Sequence, residues 1–177
     1  MAGLENKIVR LRALEPSDVE ILYNWENDTS VWQISGTLSP FSKKILARYI
    51  ETSNMDIYET KQLRFMIDSR LENYRTIGAI DLFDFDPFHL RAGIGILIAE
   101  EKDRSKGYAT AALDILIHYC FNILGLHQIF CNVETANKKS LMLFKKFGFE
   151  VIGEKKDWLK TADGWTNELM LQLLNKR

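Results

Sequence analysis

One strand–turn–helix passage constrains this chain more than any other feature. Residues 91–99, Arg-Ala-Gly-Ile-Gly-Ile-Leu-Ile-Ala, form a nearly continuous apolar run. A strand with one wet face alternates, so an unbroken run reads as a central strand covered on both faces. From Gly107 to about Leu124 the pattern changes. Ala109, Leu113, Leu116, Ile117, Cys120 and Leu124 recur at three- and four-residue steps, the period of a helix with one buried stripe. Gly93 and Gly95 inside the strand point to a bulge or to close approach by another group.

The flanks supply the rest of an α/β domain. Residues 7–13 alternate and read as a first strand. Ser17 and Glu20 fit a capping box opening a helix whose inner face is Val19, Leu22, Tyr23 and Trp25. A second helix over about 42–53 follows Ser39-Pro40 and Ser42. Residues 62–68 and 75–84 form a strand pair across the polar turn 69–74. Beyond the central helix, 128–134 is a strand and 137–147 a short helix closed by Gly148. Residues 149–153 start another strand, and Asp163-Gly164 turns between strands at about 155–161 and 165–173. With 177 residues, three prolines and no Gly/Ser-rich linker, the expectation is one domain over 1–177.

Composition narrows the function. The formal net charge is -1, which argues against nucleic acid as a partner. No apolar stretch reaches the ~18–20 residues of a membrane span, and the first seven residues lack the apolar core of a secretory signal. A cytoplasmic location is therefore expected. Cys120 and Cys131 sit in apolar-patterned segments and read as buried free thiols. No Cys/His spacing suggests a metal site, with His89, His118 and His127 scattered.

The chemistry lies in Arg104-Ser105-Lys106-Gly107-Tyr108-Ala109-Thr110. The segment follows the central strand and opens the helix. Amides at a helix N-terminus are unpaired and the helix dipole favours an anion there. Gly107 lets the backbone approach phosphates without a Cβ in the way. Ala109 keeps the next position small, Arg104 and Lys106 add positive charge, and Thr110 adds a hydroxyl. The segment thus reads as a pyrophosphate cradle.

Arg104-Ser-Lys-Gly107-Tyr-Ala109 resembles the R/Q-x-x-G-x-G/A signature of the GNAT acetyltransferase superfamily. Downstream, Asn137-Lys-Lys-Ser140 and Phe144-Lys-Lys-Phe147-Gly148-Phe149 resemble that superfamily's N-x-x-S and Y-x-K-x-G-F segment. The resemblance runs from about residue 8 to 173. Residues 79–84 through Arg91, Leu126-His127-Gln128-Ile129 and the Asp163-Gly164-Trp165 hairpin look most similar to spermidine and diamine acetyltransferases. The hairpin also fits their ribosomal-protein-acetylating relatives.

The resemblance implies a mixed, mostly antiparallel sheet, splayed between its fourth and fifth strands and flanked by about four helices. The pantetheine arm of acetyl-coenzyme A would fill the gap against the backbone of Ile96, Leu97 and Ile98. The diphosphate would lie on the amides of Ser105 to Ala109, and Asn137 would contact the coenzyme. A backbone N–H near Leu97 would polarise the acetyl carbonyl. An amine would attack directly, with no acyl-enzyme. Relatives are often oligomers, so a homo-oligomer is part of the expectation.

One departure stands out. Many relatives place a tyrosine where this chain has Phe144, and that phenol protonates the departing thiolate. Three readings stay open. Ser140, one turn earlier, places a hydroxyl or water near the sulfur; or the thiolate leaves unaided, since a thiol pKa is only about 8.5; or the chain binds acyl-CoA without turnover. On the acceptor side a polyamine needs carboxylates. Asp81 and Asp84 at the end of the third strand, and Glu26 and Asp28 between the first two helices, are the candidates. Each has a plain alternative as a solvated strand end or helix-flanking loop. The acceptor is a small amine, with spermidine as the lead; a protein N-terminus is the alternative.

Overall fold

The computed structural model of the chain describes residues 3–29, 32, 37–53 and 55–176. The strands are β1 Val9–Arg12, β2 Leu63–Ser69, β3 Arg75–Asp86, β4 Arg91–Ile98, β5 Gln128–Glu134, β6 Glu150–Thr161 and β7 Gly164–Leu174. The helices are α1 Val19–Glu26, α2 Lys43–Ser53, α3 Ile57–Thr60, α4 Tyr108–His118 and α5 Lys138–Lys146. The strands make one seven-stranded sheet in the order β1-β2-β3-β4-β5-β7-β6. Every neighbouring pair is antiparallel except β4 with β5.

Alternation in β2 and β3 divides the interior. Phe65, Ile67, Ile80 and Leu82 join Leu113, Leu116, Leu141 and Phe144 in one core on the α4 and α5 side. Met66 and Ala79 are direct cross-strand partners. They join Leu14, Leu22, Leu46 and Ile50 in a second core under α1 and α2. The two-residue side-chain period therefore places Arg64 and Asp81 on the α1/α2 face. That face carries Asp81, and the other carries the helices that follow β4 and β5.

Local details depart from the sequence reading for identifiable reasons. The first helix is not capped by Ser17 and Glu20. The Asp18 side chain accepts from the Glu15 amide at 2.8 Å and closes a 3-10 turn, Pro16–Asp18, ahead of α1. Glu20 instead pairs with Lys43 of α2 at 2.7 Å. The separate starts at 149 and 155 belong to one twelve-residue strand, β6, interrupted by register shifts against β7. The central helix stops at His118, and Tyr119–Ile123 widens to a π turn in which the Leu124 amide reaches the Tyr119 carbonyl. Gly148 does close α5: its φ is 86° and its amide bonds back to the Lys145 carbonyl. Among the described residues no helix is long and apolar enough to cross a membrane.

Candidate active site

β4 and β5 run side by side only at Arg91–Gln128, Ala92–Ile129 and Gly93–Phe130. Past these pairs both strands continue, to Ile98 and Glu134, but no longer together. The β5-facing edge of Ile94 to Ile98 thus has no strand partner, and its main-chain groups need another one. A cavity of about 230 Å³ occupies the opening, lined by Ile94, Gly95, Ile96, Asn132, Val133, Glu134, Asn137, Ser140, Phe144, Leu159 and Glu168. Of Ile96, Leu97 and Ile98, expected to face an extended ligand, Ile96 lines the cavity; the Leu97 carbonyl points to Gly78 of β3 and the Ile98 carbonyl accepts from Arg104.

At the end of β4 the chain makes a 3-10 turn, Glu101–Asp103, and reaches the cradle segment. Ser105 (φ 63°) and Gly107 (φ 87°) are both left-handed, and Gly107 is the N-cap of α4. Among the described residues no protein group accepts from the amides of residues 105–110, and the first helical acceptor is used by Ala111. A Cβ on Gly107 would meet nothing within 4 Å. The arrangement is a row of free donors at a helix N-terminus facing open space, which suits an anionic group.

The side chains of this segment do other work. Arg104 donates to the carbonyls of Ile98 (3.2 Å) and Ala99 (3.1 Å), tying the turn to the strand end. Lys106 lies 3.6 Å from Asp103 and 4.0 Å from Glu72. Tyr108 is buried, and its hydroxyl donates to Glu72 at 3.0 Å. The charge expected from Arg104 and Lys106 is therefore partly committed within the protein, and attraction for an anion rests on the main chain. Ala109 and Thr110 are half-buried in the first turn of α4.

Asn137 caps α5, its side-chain oxygen accepting from the Ser140 amide at 3.1 Å. Both residues line the cavity, as does Phe144, which is buried edge-on against Phe149. Among the described residues the Ser140 hydroxyl has no hydrogen-bond partner within the protein. Cys120 and Cys131 are free and buried. Burial pushes both thiols up to about 12, so neither is a thiolate nucleophile at neutral pH.

The structure brings Asp81 and Glu26 together through a residue that sequence reading missed. Arg64 grips Asp81 with two bonds, 2.7 and 3.1 Å, and Glu26 with a third at 3.0 Å. It also stacks over Tyr49. Burial opposes the Arg64 charge, but Asp81 and then Glu26 outweigh it and hold the guanidinium protonated. A second cavity of about 230 Å³ lies here, lined by Tyr49, Gln62, Leu63, Arg64, Asp81, Leu82 and Phe83. Asp81 is the direct cross-strand partner of Gly95. Paired residues share a face, so Asp81 of this cavity lies across from Gly95 of the seam cavity, a residue with no side chain. Gly93 leaves room for the Phe83 ring, which stands edge-on to Phe130. Alternation from Phe130 then puts Asn132 and Glu134 on this same face. The β5–β7 register sets Glu168 opposite Glu134, and Lys155 neutralises Glu168 at 2.7 Å. Alternation could have exposed Glu134; the Lys155 pairing needed the hairpin register. Asp84 and Asp28 line neither cavity. Asp84 is exposed at the β3 bulge with φ 49°, and Asp28 is exposed just past α1.

A family model for the acetyltransferase (GNAT) domain matches residues 9–150. The chain is 28% identical over 149 residues to the spermidine N(1)-acetyltransferase of Escherichia coli strain K12, covering 82% of this chain and 75% of that one. Among solved structures it is similar to the spermidine N-acetyltransferase of Vibrio cholerae in complex with CoA and spermine. There the TM-score is 0.84 and the identity 23%, with 96% of each chain covered. A dodecameric structure of the Vibrio enzyme has a TM-score of 0.79 and 24% identity, covering 96% of this chain and 95% of that one. At those identities the structural likeness is one of fold.

Proposed function

This chain belongs to the GNAT acetyltransferase family, and from that premise we propose that it transfers acetyl from acetyl-CoA to a primary amine of a polyamine such as spermidine. The observation that carries the reading is the opened β4–β5 seam, with free amides at 105–110 at one end and carboxylates on the adjoining sheet face. The donor fits these residues: an extended amide-bearing arm suits the unpaired β4 edge, and a diphosphate suits the free amides. The bound thioester supplies an activated acyl carbon with a thiol leaving group.

The chain's own groups do the rest. Asp81 and Glu26, sharing one Arg64, leave one net negative charge to hold an acceptor ammonium. Glu134, in the seam cavity and without an ion pair among the described residues, takes the proton the attacking amine sheds. Ser140 offers its hydroxyl to the sulfur side, where Phe144 has no proton to give. With both thiols buried and protonated, direct attack within a ternary complex is the route. The reaction belongs to the cytoplasm, where free thiols persist.

Self-association is part of the reading. β6 is an outer strand of the sheet and exposes Val151, Ile152 and Trp158, with Trp165 beside it on β7. Light scattering of the purified protein tests it, and a monomer at all concentrations would remove this part.

The activity test is thiol release from acetyl-CoA with a panel of polyamines, monoamines and N-terminal peptides. Polyamines should turn over fastest. Asp81→Asn, which cancels that net negative charge, should raise the polyamine KM at least tenfold while changing the acetyl-CoA KM little. Peptides turning over faster than any polyamine would transfer the assignment to protein N-termini.

A further inference from the structure

The cradle turn holds its shape with little help from its own backbone. Its internal main-chain bonds are Asp103 amide to Glu100 carbonyl and Arg104 amide to Glu101 carbonyl, and both precede the left-handed Ser105. What grips the turn is the tip of the β2–β3 hairpin. Arg75 donates twice to Asp103, at 2.9 and 2.8 Å, and the Asp103 side chain is fully buried. Arg75 also donates twice to Glu72, at 2.9 and 2.6 Å. Glu72 in turn accepts from the Tyr108 hydroxyl, and that hydroxyl accepts from Ser69 at 3.1 Å. Asp103 lies two residues before Ser105 and Tyr108 one residue after Gly107, so the contacts hold the free-amide row just before its start and at its middle.

We propose that the β2–β3 hairpin, through Arg75 and Glu72, is the positioning element of the diphosphate cradle. Arg75 and Glu72 need not touch the coenzyme; they fix the direction of amides that do. The bidentate Arg75–Asp103 pair fixes an orientation as well as a distance. Asp103 is buried while Arg75 is partly exposed, so losing the arginine leaves a carboxylate with little access to water, at a cost to the turn it holds. The inference rests on the coenzyme reading above and is independent of the acceptor.

The test is calorimetry with CoA on Asp103→Asn, Arg75→Lys and Glu72→Gln, paired with turnover of two donors, acetyl-CoA and the short thioester acetyl-pantetheine, which lacks the diphosphate. CoA affinity should fall at least tenfold in Asp103→Asn and by less in Arg75→Lys, which keeps the charge but loses the fork. The loss of kcat/KM should be several-fold greater with acetyl-CoA than with acetyl-pantetheine. Glu72→Gln changes a half-exposed side chain and carries the test if Asp103→Asn fails to fold. Unchanged CoA affinity in folded variants overturns the inference, and so does an equal loss with both donors, which would mark a merely structural pair. Wild-type protein that does not bind CoA would bring down the coenzyme reading and this inference with it.

Discussion

Gly78 has no space for a side chain. A Cβ there would collide with the Leu97 carbonyl, a main-chain atom that cannot swing aside. The Leu97 carbonyl faces β3, but Leu97 belongs to the strand that borders the seam, so strain at Gly78 is passed to that strand. We expect Gly78→Ala to cost roughly 1–3 kcal/mol of stability and to depress kcat, as thermal melting and steady-state rates would show. An unchanged rate would mean that Leu97 plays no part. Ser140 and Phe144 make a matched pair. If the serine hydroxyl serves the leaving sulfur, Ser140→Ala should lower kcat by about 10²-fold or more with little change in the acetyl-CoA KM. Phe144→Tyr should then add little, and a large rise in rate from it would identify a missing acid. At this scale the sequence was partly readable. The cradle residues and Ser140 were visible because they are neighbours along the chain. Arg64 was not, because its meaning comes from two partners that only folding brings near: Asp81, seventeen residues away, and Glu26, thirty-eight residues away.

The elements that make the site are those whose pairing is incomplete. β4 reads as a buried central strand, and the structure agrees, yet its second neighbour leaves it after Gly93. No periodicity reports that divergence, since the side-chain pattern of β4 is the same whether or not β5 stays alongside. The seam was expected from family resemblance rather than from the residues of 91–99. The start of α4 was legible for a physical reason: a glycine able to take φ 87° ahead of an apolar-faced helix is a local property. Gly107→Glu puts both a left-handed non-glycine residue and an anion at the free amides. It should abolish measurable CoA binding by calorimetry while costing only about 1–2 kcal/mol of fold stability. Retained affinity would mean that the diphosphate lies elsewhere.

Over the whole molecule, ion pairs join the segments that the sheet leaves loose. Arg12 binds Asp18 and Asp68, holding β1, the turn before α1 and β2 together. Arg75 binds Asp103 and Glu72 at the cradle. The Arg75 contacts hold the Asp103 and Glu72 carboxyls below the usual range, and the Arg12 hydrogen bond does the same for Asp18 against the opposing effect of burial. Because the folded pKa values are depressed, this stabilisation is complete above the unfolded values of about 4 and is lost as pH falls through the folded ones. The melting temperature should therefore carry the full contribution of these groups, without pH dependence from them, between about pH 5 and 8, and should fall below about pH 4. Asp103→Asn should flatten that acid limb, and an unaltered limb would deny the pair its role. The central claim concerns the seam and its free amides. A crystal structure of the protein with CoA tests it most directly. The account predicts the diphosphate within hydrogen-bond distance of amides 105–110 and the pantetheine arm along Ile94 to Ile98. A coenzyme bound elsewhere, with those amides facing solvent, would contradict it.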